Sequence, residues 1–142
     1  MESTSGNRPP GAAAPRILVV EDEFLIAMEM EAMLIDGGFR VIGPVATVAA
    51  ALAIIEKERP DAAVLDVSLR GERVTPVAKV LQAMRVPFAL ASAYDQGELN
   101  TDAALSGAPN IGKPTMAARL FSVLRDILDR GGIPHPQSQG TK

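Results

Sequence analysis

Short apolar runs alternate with longer stretches in which apolar residues recur at helical spacing. Residues 16–20, Arg-Ile-Leu-Val-Val, are β-branched and apolar and predict a strand. The acidic triplet Glu21-Asp22-Glu23 follows, then a helical segment over 24–36 that Gly37-Gly38 stops. Residues 40–43 predict a second short strand. Thr47 can cap the next helix, whose Val48, Ala51, Leu52 and Ile55 share a face, and Pro60 ends it after the charged patch 56–59. The run Ala62-Ala63-Val64-Leu65 reads as a strand buried on both faces, like a central strand of a parallel sheet. It ends in Asp66, and the stretch breaks at Gly71. Val74, Val77, Leu81 and Met84 make one face of a helix over 73–84, with Pro76 in its first turn. Pro87 introduces a fourth strand over 88–92. A helix over 98–105 has few apolar residues and is expected to be the least stable element. A short fifth strand spans 109–112. A last helix over 115–129 turns Leu120, Phe121, Leu124, Ile127 and Leu128 inward.

Five strands alternating with five helices imply an α/β, flavodoxin-like (βα)5 domain. Its five-stranded parallel sheet has the expected order 2-1-3-4-5, and its crevice lies beside strands 1 and 3. The domain should span residues 16–130. Residues 1–15, rich in Ser, Gly, Pro and Ala, predict a disordered leader. Residues 131–142 predict a disordered tail with no effector domain after it. The one histidine, His135, lies in that tail and cannot alone build a metal site or a triad.

Composition narrows the function classes. A net charge of -3 offers neither a basic footprint for nucleic acid nor a polybasic patch for a membrane. With no cysteine, disulfides and thiolate metal sites are excluded. No apolar run reaches membrane-spanning length and no signal-peptide core is present, so a cytoplasmic location is the expectation.

The topology brings Glu21-Asp22, after strand 1, and Asp66, at the end of strand 3, to one crevice. Two unit charges about 4 Å apart repel by about 4 kcal/mol at an effective dielectric of about 20. Such a site must hold a proton or a cation. Oxygen donors select Mg²⁺ or a similar ion. Lys113, ending strand 5 before Pro114, can reach the same rim, and Ser92, ending strand 4, supplies a hydroxyl. This set suits transfer of a phosphoryl group to a carboxylate, with metal and ammonium neutralising charge on the phosphoryl oxygens. Singly, each residue has a plainer reading. Asp66 can cap a turn, Asp22 or Glu23 can cap the first helix, Ser92 can bond its own turn, and Lys113 can be solvated.

The stretches Ile17-Leu18-Val19-Val20-Glu21-Asp22-Glu23, Leu65-Asp66-Val67-Ser68-Leu69-Arg70-Gly71, Ser92-Ala93 and Lys113-Pro114 together resemble the receiver domain of two-component response regulators. The resemblance covers about 16–128. It implies that Asp66 accepts a phosphoryl group from a histidine kinase or phosphotransfer protein. Glu21 and Asp22 would serve Mg²⁺, with Asp66 and the Ser68 backbone carbonyl as further ligands. Ser92, beside Ala93, would be the switch hydroxyl that binds the phosphoryl group, and Lys113 its ionic partner. Such a domain catalyses only its own phosphorylation and dephosphorylation.

More narrowly, residues 87–94, Pro-Phe-Ala-Leu-Ala-Ser-Ala-Tyr, resemble imperfectly the strand-4 signature of single-domain bacterial receivers named for a Phe-Ala-Thr-Gly-(any)-Tyr motif. Residues 71–78 and Gly107-Ala108-Pro109 resemble that group too. This chain departs from the common pattern at Asn110, where many receivers carry a rotating aromatic three residues before the lysine. That puts the usual serine–aromatic coupling in doubt, and Tyr94 is a candidate to replace it. Thr115 also stands where an aromatic is common. Ser68 and Tyr94 occupy positions that tune dephosphorylation in the family.

The first helix has more apolar positions than one buried stripe requires. Leu25, Met28, Ala32 and Ile35 form one line; Ile26, Met30 and Met33 form another. The surplus is either a broad core face or an adaptable patch for a partner. By resemblance a kinase or phosphotransfer bundle would dock on this helix, with Leu25, Ile26 and Met30 as contacts. Two other functions stay open. One is an aspartyl-nucleophile phosphatase, which commonly needs a second acid where this chain has Ser68. The other is a protein-binding module indifferent to phosphorylation.

Overall fold

The computed structural model describes residues 13–93, 99 and 101–132. In chain order the elements are β1 (Arg16–Val20), α1 (Phe24–Asp36), β2 (Arg40–Val45), α2 (Val48–Lys57), β3 (Ala62–Leu65), β4 (Ser68–Leu69), β5 (Glu72–Arg73), α3 (Thr75–Ala83), β6 (Phe88–Leu90) and α4 (Ala117–Gly132). Most of the expected leader and tail, His135 and Tyr94 lie outside the described residues.

The apolar runs pair in parallel in the order β2-β1-β3-β6, so the fold is the expected flavodoxin-like α/β. The pleat sorts the side chains of each strand onto two faces. Ile17 and Val19 of β1, with Ala62 and Val64 of β3, pack against Met30 and Leu34 of α1 and Leu120 and Leu124 of α4. Leu18, Val20, Ala63 and Leu65 pack the other way, against Ala51 and Ile55 of α2 and Val77 and Leu81 of α3. Thr47 caps α2 by accepting a hydrogen bond from the Ala50 amide at 3.0 Å.

One irregularity bears on the site. The β1–β2 register slips between Leu18 and Val20, where Gly43 adopts φ 92°. A Cβ there would meet the Val45 nitrogen at 2.9 Å, so only glycine fits this bend. The slip carries pairing past the end of β1, and the Glu21 amide donates to the Val45 carbonyl at 2.9 Å. Glu21 is thereby held at the strand end.

Three expectations are corrected. The fifth strand shrinks to a single parallel bridge between Leu90 and Asn110. Pro109 lacks a donor and Gly112 turns the chain away at φ 93°, so no longer ladder can form. Of the expected helix over 98–105, residues 98 and 100 lie outside the described residues, Leu99 is helical, and 101–107 continue as turns and a bend rather than regular helix. There Leu105 donates to Asp102 and Ala108 to Leu105, bonds spanning three residues rather than four. Finally, Met30 cannot be a partner contact. It is 1 % exposed and lies in the core with Ala27 and Leu34. Of the expected contacts Leu25 is exposed, and the other exposed large apolar residues of α1 are Phe24, Met28 and Ile35, while Ile26 is half-buried. At about 100° per residue, position 30 shares its face with 27 and 34.

Candidate functional site

Parallel strands deliver their ends to one edge of the sheet, so β1, β3 and β6 present Glu21, Asp66 and Ser92 together. All three are buried polar residues. Oxygens of Glu21, Asp22 and Asp66 lie within 4.8 Å of one another. Lys113, brought in by the segment after the Leu90–Asn110 bridge, places Nζ 3.1 Å from Glu21 Oε1 and 3.3 Å from Asp66 Oδ2. Asp22, Asp66, Ser68, Ser92, Ala93 and Lys113 line one open cleft of about 510 Å³. The topology thus assembles the residues singled out at the strand ends.

Backbone amides hold the acids. The Glu23 amide donates to Glu21 Oε2 at 3.0 Å. The Arg70 amide donates to Asp22 Oδ2 at 2.9 Å across 48 residues of sequence. That amide is aimed by a hairpin absent from the sequence expectation: β4 and β5 pair antiparallel through Arg70 and Gly71, whose φ values are 51° and 85°. Positive φ at both turn residues is the geometry of a tight two-residue hairpin, which glycine eases at the second position. Two-residue strands give no periodic signal, so only the Gly71 break could have hinted at it.

Asn110 was also missed as a structural link. Its Oδ1 accepts from the Ser92 amide at 3.1 Å and from the Gly112 amide at 3.0 Å. The Arg119 guanidinium of α4 donates to its backbone carbonyl at 3.3 Å.

The electrostatics follow from this crowding. Burial, and next the Glu21 charge, push the Asp66 carboxyl up to about 7, against the opposing pull of Lys113. Burial also works against Asp22, but the Arg70 amide and hydrogen bonding with Asp66 outweigh it and hold that carboxyl below its usual range. For Lys113 burial favours the neutral amine, yet the Asp66 and Glu21 charges win and raise its pKa.

Three acids beside one ammonium leave an excess of negative charge. Glu21 Oε1 is buried without a properly aligned hydrogen bond. Closely spaced oxygens with uncompensated charge are what a hard divalent cation binds, so the acid cluster fits such an ion. The site can therefore hold a divalent metal and present Asp66 to an electrophile beside Lys113 and Ser92. Leu25, Ile26 and Met30 belong to α1 and line no part of the cleft.

Comparison with known proteins agrees with this geometry. A family model described as the response regulator receiver domain matches residues 17–125. The phyllosphere-induced regulator PhyR of Methylorubrum extorquens is 33% identical over 118 residues, 81% of this chain and 44% of that protein. The chain spans about half the length of the curated relatives it matches. Among solved structures, SdrG of Sphingomonas melonis is 40% identical with a TM-score of 0.71, covering 82% of this chain and 98% of that one. The receiver domain of sensor histidine kinase PA1611 of Pseudomonas aeruginosa, described with a magnesium ion coordinated in its active-site cleft, is 27% identical with a TM-score of 0.72. It covers 82% of this chain and 99% of that one. Among the described residues no helix is long and apolar enough to cross a membrane.

Proposed function

This chain belongs to the response regulator receiver domain family, and from that premise we propose that it takes a phosphoryl group onto Asp66 from a phosphohistidine. The donor is a histidine kinase or phosphotransfer protein. The observation that carries the reading is the convergence of Glu21, Asp22 and Asp66 within 4.8 Å, with Lys113 reaching both Glu21 and Asp66.

In this reading an Asp66 carboxylate oxygen attacks phosphorus. An O–P bond forms, the P–N bond to the donor imidazole breaks with its electron pair left on nitrogen, and the departing imidazole takes up a proton from water. Asp66 must be ionised to attack, and its surroundings alone leave it half-protonated near neutrality. A divalent ion, Mg²⁺ in this proposal, supplies positive charge that favours the carboxylate and offsets charge on the phosphoryl oxygens. Glu21, Asp22, Asp66 and the Ser68 carbonyl would hold it. Lys113 stays protonated and balances a phosphoryl oxygen beside Asp66. Ser92 and the neighbouring Ala93, on the cleft wall, receive the other oxygens. Binding there biases the segment after β6, a population shift that a protein target reads.

The test is phosphotransfer from radiolabelled histidine kinases and phosphotransfer proteins of the source organism. At least one should lose label to the native chain and none to Asp66→Asn. Transfer from none of them, or equal labelling of the variant, overturns the reading.

A further inference from the structure

We propose that Asn110 is a positioning residue that ties the Ser92 hydroxyl and the Lys113 ammonium into one phosphoryl-binding unit. The inference rests on the phosphoryl-acceptor reading above and deepens it.

Pairing between β6 and the returning chain is short. Leu90 donates to the Pro109 carbonyl at 2.8 Å and Ile111 donates back to Leu90 at 2.6 Å. Gly112 then turns away at φ 93°. Among the described residues the ladder bonds between β6 and the returning chain end at Ile111, although Ser92 and Lys113 must both meet the same group on Asp66. The Asn110 side chain takes over. A single oxygen, Oδ1, accepts the Ser92 amide at 3.1 Å and the Gly112 amide at 3.0 Å. The first donor carries the cleft hydroxyl, and the second immediately precedes the lysine.

A residue that only closed its own turn would need the bond to Gly112, two positions on. The bond to Ser92, 18 positions back on another element, goes beyond that need. The anchor is itself held from outside the cleft, because Arg119 of α4 donates to the Asn110 carbonyl. Asn110 does not react. It fixes the distance between two groups that do bind.

The geometry needs an acceptor oxygen at this place. Aspartate supplies one of nearly the same shape, whereas leucine fills the space without accepting. Without the acceptor, Ser92 and Lys113 can drift apart while the acids, held by the Glu23 and Arg70 amides, keep their places. The expected signature is therefore a split between phosphoryl binding and metal binding.

The experiment measures beryllofluoride, a phosphoryl mimic, and Mg²⁺ alone by calorimetry on the full chain. Amide exchange at Ser92 and Gly112 is followed by NMR. Asn110→Leu should weaken beryllofluoride binding by about tenfold or more, as expected for losing two hydrogen-bonded tethers. Its Mg²⁺ affinity should stay within about twofold of native, and both amides should lose protection. Asn110→Asp should keep both amides protected and bind beryllofluoride within about threefold of native, since the acceptor remains.

Beryllofluoride binding by Asn110→Leu equal to native overturns the inference alone. So does a parallel loss of Mg²⁺ and beryllofluoride, which marks general damage to the site. Should the leucine variant not fold, Asn110→Asp decides: retained binding supports the inference, and a tenfold loss overturns it. If the native chain itself binds no beryllofluoride with Mg²⁺ present, the phosphoryl-acceptor reading falls and takes this inference with it.

Discussion

The Lys113 ammonium sits 3.3 Å from Asp66 Oδ2 and nearer still, 3.1 Å, to Glu21 Oε1. One cation thus bridges Asp66, the proposed phosphoryl acceptor, and a buried acid beside it. Removing it leaves both carboxylates facing each other. Lys113→Met should shift the Asp66 titration midpoint upward from about 7, followed through its carboxyl carbon by NMR in metal-free buffer. It should also slow phosphorylation by a small phosphoryl donor by about tenfold or more.

The raised Asp66 pKa has a consequence for stability. A carboxyl near 3.9 in the unfolded chain and about 7 when folded binds protons preferentially in the folded state. Its favourable contribution is complete below about pH 4 and is lost as pH rises through about 7. Metal-free protein should therefore lose stability across this window, and Asp66→Asn should abolish that slope. At pH 8 the variant should be more stable than native by about 1–2 kcal/mol, with a melting temperature several degrees higher. Thermal unfolding of both proteins from pH 4 to 8 in chelator checks this.

Adding a divalent cation should reverse the trend, because the ion binds the ionised form. With Mg²⁺ at about 100 times its dissociation constant, the gain should approach about 2.7 kcal/mol. Asp22→Asn should weaken Mg²⁺ binding by about tenfold, since a ligand charge is lost while the Arg70 amide can still bond the amide oxygen. Calorimetric titration of native and variant measures both effects.

The α1 surface separates partner recognition from stability. Leu25 and Met28 are 72% and 49% exposed, and Met30 is 1% exposed. Replacing Leu25 and Met28 together with Ser should leave the melting temperature nearly unchanged. Transfer from a phosphohistidine protein should slow while phosphorylation by a small donor stays normal. Met30→Ala should instead destabilise the fold by about 2–4 kcal/mol, read by denaturant unfolding.

Topology made the acids legible. Glu21-Asp22, Asp66 and Ser92 each follow an apolar run, and parallel strands must deliver such residues to one edge, while Lys113 follows the short bridge segment that pairs with β6. The two lines on α1 were equally apolar in sequence, so periodicity alone could not say which faced the sheet. Of Leu25, Ile26 and Met30, the packing of Ala27 and Leu34 draws Met30 inward and leaves Leu25 exposed. The β4–β5 hairpin escaped notice because two-residue strands have no period to detect. Pro109 and Gly112 look like the bounds of a fifth strand in the sequence, yet together they limit it to one bridge. The Asn110 clamp depends on two backbone amides, one of them 18 residues away, and no side-chain pattern announces such a bond.

The most direct measurement is peptide-level mass spectrometry of the full chain after treatment with a small phosphoryl donor, with and without Mg²⁺. The account predicts one added phosphoryl group, on the peptide containing Asp66, dependent on the ion and absent from Asp66→Asn. A phosphoryl group on any other residue, or no modification with Mg²⁺ present, contradicts it.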